Sequence, residues 1–186
     1  MIRRGLPGWL VVAALAVNLG LYALMMFGTY AHLAGMAEGA EPFDLRPMGY
    51  GLGDARALLA LLGEEGRAYY ARVQLMLDTV YPATYAVSRG LLVWWLTAAG
   101  RIAPHALAIH WRLLMLVAPV AAAGFDYLEN ARIAAMLAAG TSVDAALVGA
   151  ASLATQAKSA FTVVTEVLVL TLAFRFWRRR REQRGG

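Results

Sequence analysis

The sequence predicts an all-α integral membrane protein: a bundle of four transmembrane helices with a long outer loop that contains a short amphipathic helix. Three observations predict it. Of the 186 residues, 60% are apolar and 16% charged, whereas an ordinary soluble domain has about 45–50% and about 25%; the mean hydropathy is +0.56. Residues 9–34, 69–97, 106–137 and 145–174 each supply the roughly 20 mainly apolar residues that a crossing requires. The net charge of +5 is concentrated at the chain ends and one short turn, which is how an orientation signal is distributed. This composition excludes a disordered chain and a soluble enzyme of average surface. The absence of cysteine excludes disulfides, thiol catalysis, Cys-bound zinc and iron–sulfur clusters. Residues 1–186 read as a single membrane domain.

The first stretch, 9–34, carries no internal charge. It is longer than the apolar core of a signal peptide and no clean small-x-small site ends it, so it reads as a retained helix. The outer loop, 35–66, is irregular in its Gly- and Pro-rich first half. Asp54 then caps a short amphipathic helix that ends at Gly63. Its Leu58, Leu59, Leu61 and Leu62 lie on the outer leaflet or cover the bundle mouth. Gly49, Gly51 and Gly53 have a dinucleotide-loop spacing, but no strand precedes them. Pro82 in the second span removes a helical hydrogen bond and frees the carbonyl of Asp78, and Pro119 does the same for Met115 in the third. After the fourth span comes a basic tail, 175–186, with Phe174, Phe176 and Trp177 at headgroup level. It reads as a stop-transfer anchor rather than a nucleic-acid site.

Charge sets the orientation. Arg3 and Arg4, Arg101 and Arg112, and Arg175, Arg178, Arg179, Arg180, Arg181 and Arg184 fall on one side. The other side has Arg46, Arg56, Arg67 and Arg72 offset by Glu38, Glu41, Asp44, Asp54, Glu64, Glu65 and Asp144. Both termini are therefore expected in the cytoplasm, with the protein in a bacterial inner (plasma) membrane. Trp94, Trp95 and Trp111 mark the cytoplasmic interface, with His105 and His110 beside them.

Ionisable residues inside a span are costly and face the bundle interior, where each is a functional candidate. Asp78, Tyr81 and Tyr85 stand at i, i+3 and i+7, and Asp126, Glu129 and Asn130 at i, i+3 and i+4, so each set shares a helical face. Lys158, Thr162, Thr165 and Glu166 make a third stripe, and Tyr30 and His32 approach from the outer end of the first span. At ~1.5 Å per residue, Asp78, Glu129, Asp126 and Lys158 lie roughly 12–20 Å from the outer ends of their spans. They are expected to converge in one cavity. Arg89 and Glu166 fall deeper, at a common level, and read as a structural ion pair.

Carboxyl groups crowded around one lysine suit general acid–base chemistry. Asp78, Asp126, Glu129 and Lys158 are the catalytic candidates. Tyr30, Tyr81, Tyr85 and Asn130 are the substrate-binding ones, for a small lipophilic molecule with one polar oxygen. An isomerase or hydrolase is the enzymatic form of this reading. A structural or accessory subunit, whose polar cluster only fixes helix packing, and a small proton-coupled transporter are the alternatives. No metal site, phosphate loop or nucleophile elbow is present in the sequence, and no cofactor is expected. The expected partners are membrane lipids and the lipophilic molecule, not nucleic acid; homo-oligomerisation is left open. No family motif carries over residue by residue.

Overall fold

The computed structural model describes residues 6–98, 101–103 and 105–185. Arg3 and Arg4, used above for orientation, lie outside them. The chain is 86% helical, and among the described residues there is no strand. It forms α1 (Gly8–Met36), α2 (Leu52–Tyr69), α3 (Leu75–Leu96), α4 (Ile109–Ala139) and α5 (Ala145–Gly185). Three helices, Gly8–Met36, Ile109–Ser142 and Ala145–Arg184, are long and apolar enough to cross a membrane. The remaining expected crossing, 69–97, is helical and packed between α1 and α4. It is less apolar than the others because Asp78, Tyr81, Tyr85 and Arg89 fall in it.

Helix ends follow local chemistry. Glu38 (φ +53°) and Gly39 (φ +88°) take left-handed conformations after α1, and the Gly39 N–H closes the helix on the Ala34 carbonyl at 2.7 Å. Asp54 does not occupy the N-cap of α2. Gly51 does, and the Asp54 carboxylate, three residues on, accepts the Gly51 N–H at 2.9 Å, the returning half of a capping box. At Gly63 the backbone leaves helical space (φ +60°, ψ −164°). Arg67 Nη1 covers the Leu59 carbonyl there at 3.0 Å, and the chain then continues as helix through Tyr70–Gln74 into α3. Arg112 at the start of α4 donates to the Trp94 carbonyl at 2.8 Å and lies over the Trp94 ring at 3.5 Å, tying the turn between α3 and α4. Asp144 caps α5 through the Leu147 N–H at 2.8 Å.

Two segments are π-helical, Met25–Tyr30 within α1 and Tyr70–Gln74 before α3. They face each other, and Thr29 Oγ1 donates to Gln74 Oε1. Single-turn π segments carry an extra residue per turn and are frequent at functional sites.

The largest apolar core is at one end of the bundle, where Leu33, Phe43, Leu58, Leu59, Tyr70 and Ile133 pack together. The leucines of α2 thus cover the bundle end, with Leu58, Leu59 and Leu62 buried and Leu61 outside. A smaller core of Val93, Leu96, Val169 and Leu172 closes the other end. Polar side chains fill the length between them.

The loop before α2 wedges into the bundle. The Tyr50 N–H donates to Ser152 Oγ of α5 at 2.9 Å, and burial raises the Tyr50 phenol above its ordinary pKa, so it stays neutral. Gly49 (φ +84°) sits so close that a Cβ would collide with Ser152 and Gln156. Of the three glycines, Gly49 makes the packing turn, Gly51 is the N-cap of α2 and Gly53 lies within the helix. Gly49→Ala is expected to destabilise the protein by about 1–3 kcal/mol through overpacking on top of left-handed strain. Gly39→Ala, with a similar φ of +88° but nothing within 4 Å, loses only the strain, about 1 kcal/mol. Thermal unfolding of both variants in detergent checks the difference.

Candidate functional site

Pro82 organises the acidic end of α3. It has no N–H to give the Asp78 carbonyl four residues back, and the side-chain amide of Asn130 on α4 donates to that oxygen instead, at 3.0 Å. The kink thereby fixes α3 against α4 beside the Asp78 side chain. Tyr30, the last residue of the first π segment, donates to Asp78 Oδ2 at 3.3 Å.

Across from Asp78, α4 and α5 meet through one cation. Lys158 Nζ contacts Glu129 Oε2 and lies 3.4 Å from Asp126 Oδ1. Thr155, one turn from Lys158 on α5, donates to Glu129 Oε1 at 2.6 Å. Both oxygens of the fully buried Glu129 are thereby engaged.

A cavity of about 310 Å³ lies between these groups. Of the expected site residues, Tyr30, Asp78, Tyr81, Tyr85, Asp126 and Lys158 line it. Glu129 and Asn130 do not; they sit behind the wall, Glu129 holding Lys158 and Asn130 holding the α3 backbone. The Asn130 amide N–H is given to the Asp78 carbonyl, while its own Oδ1 is buried without a hydrogen-bond partner.

The cavity is not enclosed on all sides. Among the described residues α1 packs chiefly on α3 and α5 on α4, and α1 and α5 are packed on each other far less. Tyr22 of α1 and Val163 of α5 both line the cavity and are 45% and 61% exposed. Pro47 of the outer loop, another wall residue, is exposed as well.

Arg89 and Glu166 meet directly, Nε to Oε1 at 2.8 Å. Tyr85 also donates to Glu166, at 3.3 Å, and Arg89 Nη1 reaches the buried Asn18 Oδ1 at 3.4 Å. These groups line a second cavity of about 440 Å³ that shares Tyr22, Tyr81, Tyr85 and Thr162 with the first.

The structure adds a wall residue that the span-by-span reading did not select. Asp44, in the 3-10 turn Phe43–Leu45, is buried, lines the first cavity and accepts from Tyr70 Oη at 2.5 Å. The outer loop therefore supplies part of the site. Among the described residues no group of His, Asp and Glu side chains has the geometry to hold a metal ion.

Removal of the Asn130 amide leaves the Asp78 carbonyl buried without a donor. Asn130→Ala is therefore expected to cost about 1–3 kcal/mol of stability. Pro82→Ala in the same chain restores a backbone N–H to that carbonyl and recovers most of the loss. A double-mutant cycle read by thermal unfolding tests the coupling, and additive effects would show that the two do not share the oxygen.

Compared with known proteins, the chain matches no family model, no curated protein and no solved structure.

Proposed function

We propose that the chain crosses a bacterial inner membrane four times with both termini in the cytoplasm, and that its acid-lined cavity binds a small lipophilic molecule and acts on it by proton transfer, as an isomerase or hydrolase does. The observation that carries this reading is the cavity itself. It joins Asp78, Asp126, Lys158 and tyrosines to apolar wall from Met25, Ala122 and Val163, and in this reading it opens sideways between α1 and α5, where Tyr22 and Val163 are exposed. A molecule dissolved in hydrocarbon reaches such a site without passing through water.

The three long apolar helices support the membrane placement. In this reading α3 is the fourth crossing, its polar side chains being turned inward where lipid does not meet them. Basic residues at the α3–α4 turn and the end of α5 set the orientation. Single cysteines at Ala40 and Gln183 are expected to react with an impermeant thiol reagent from opposite sides of the membrane. Reaction of both from one side would overturn the topology.

In the proposed chemistry Asp78, which has no cation beside it among the described residues, delivers the proton. Asp126, held by Lys158, receives one. Tyr30 and Tyr81 orient the substrate oxygen, and each positioned acid or base contributes ~10²–10⁴-fold. Glu129 takes no direct part, being behind Lys158. Asp78→Asn keeps the shape and removes the proton. The variant is expected to slow conversion by ~10²-fold or more and to retain bound substrate, read by mass spectrometry of the lipids that co-purify with each form. Identical lipid profiles and unchanged turnover would remove the enzymatic assignment.

Two observations favour other readings. The complete engagement of Glu129 by Lys158 and Thr155 is what a packing cluster requires; a purely structural role predicts no specific lipid and a lowered melting temperature in Asp78→Asn. The second cavity, continuous in its lining with the first, is what a proton-coupled carrier requires. That role predicts chemically unaltered ligand and lost pH-driven flux.

A further inference from the structure

The charge balance of the cavity says more about its ligand than its size does. Lys158 is one ammonium between two carboxylates, Glu129 and Asp126. Two more acids face the same space, Asp44 from the loop and Asp78 from α3, the latter carrying a proton in the reading above. Neither has a cationic partner among the described residues. Each instead accepts from a phenol, Tyr70 at 2.5 Å for Asp44 and Tyr30 at 3.3 Å for Asp78. Asp44 is only 8% exposed, and its Oδ1 has no hydrogen-bond partner. A buried carboxylate without a cation is costly, and a cation in the adjoining space relieves that cost.

The rest of the polar wall is aromatic. Tyr22, Tyr30, Tyr81 and Tyr85 all line the cavity. Tyr81 stands between Tyr22 and Tyr85, with ring centroids 6.2 and 6.4 Å away and the planes tilted by 35° and 37°. Tyr85 already takes a cation within the protein, the Arg89 guanidinium at 5.1 Å from its ring centroid. Tyrosine faces attract cations most strongly where water is excluded.

The geometry points to a lipophilic amine as the ligand: an ammonium head seated among Asp44, Asp78 and the tyrosine rings, on an apolar body that leaves the cavity between Tyr22 and Val163. An ammonium supplies the positive charge that Asp44 lacks among the described residues. An anionic head meets carboxylates on two sides, and a neutral alcohol supplies one donor without the charge. This inference rests on the proposed reading only in taking the cavity as a ligand site; it deepens that reading by naming the head group.

The test uses the full chain in maltoside micelles with three probes of equal chain length: dodecyltrimethylammonium, dodecanol and dodecanoate. Binding is measured at matched mole fraction through the melting temperature and by titration. Dodecyltrimethylammonium is expected to bind at least about tenfold more tightly than dodecanol, and dodecanoate most weakly. Asp44→Asn removes most of the ammonium preference and leaves dodecanol binding unchanged. Tyr22→Leu, at the half-exposed rim and so tolerant of change, lowers the preference as well, and serves if Asp44→Asn does not fold. Equal binding of the ammonium and the alcohol would overturn the inference, as would a preference that survives both substitutions. Ammonium preference without proton transfer to any ligand removes the enzymatic reading and keeps this one. Conversion of a neutral lipid without ammonium preference does the reverse.

Discussion

One ammonium, Lys158, holds the arrangement together. It comes from the first half of α5 and is gripped by two carboxylates of α4, with Glu129 fully buried and Asp126 nearly so. Breaking such a pair leaves uncompensated charge in a medium that cannot solvate it, at a cost of about 3–5 kcal/mol. The rotation of α5 about its own axis is thereby fixed. With Lys158 inward, Thr155 points at Glu129, Thr162 lines the cavity, and Ser152 is presented one and a half turns away to the outer loop. The loop seats on Ser152 through the Tyr50 N–H, and Gly49 allows the approach. Asp44 reaches the cavity because the loop is seated. A surface far from the charge is thus placed by it.

The two π segments complete the other wall. A π turn inserts one residue into the α-helical spacing, and so shifts which side chains face inward beyond it. Tyr30 closes the first segment and Tyr70 opens the second, and each donates to a carboxylate of the site. The Thr29–Gln74 bond locks the segments at one level. Without the inserted residues the phenols would be rotated about 100° away from their acceptors.

Much of this was legible in the sequence, and the misses have physical reasons. Apolar runs gave the helices; ionisable residues within those runs gave Asp78, Asp126 and Lys158; and the covalent fact that proline lacks an N–H located the carbonyl that Asn130 satisfies. A shared helical face, however, does not say which of its members reaches a cavity and which is consumed by a neighbouring helix. Glu129 and Asn130 share the face of Asp126 and are consumed, one by Lys158 and Thr155, the other by the α3 backbone. Asp44, read only as one of the outer-side acids that set the orientation, gave no local sign that Tyr70 and the seated loop would bury it. Nor does a helical pattern announce a π turn, because its evidence is an extra residue that only packing reveals. Asp54 was placed one role away, at the third position of α2 rather than its cap, since Gly51 offered the extended backbone that an N-cap needs.

The sparse packing between α1 and α5 bears on how affinity is to be expressed under the proposed function. A ligand that enters there is, in that proposal, supplied from the leaflet, and its effective concentration is a surface density: moles of ligand per mole of lipid. Diluting the sample with buffer leaves that ratio unchanged for a strongly partitioned molecule, whereas adding detergent or lipid lowers it. An apparent dissociation constant written per litre therefore drifts with the amount of amphiphile present. The constant that belongs to the protein is the mole fraction at half-occupancy.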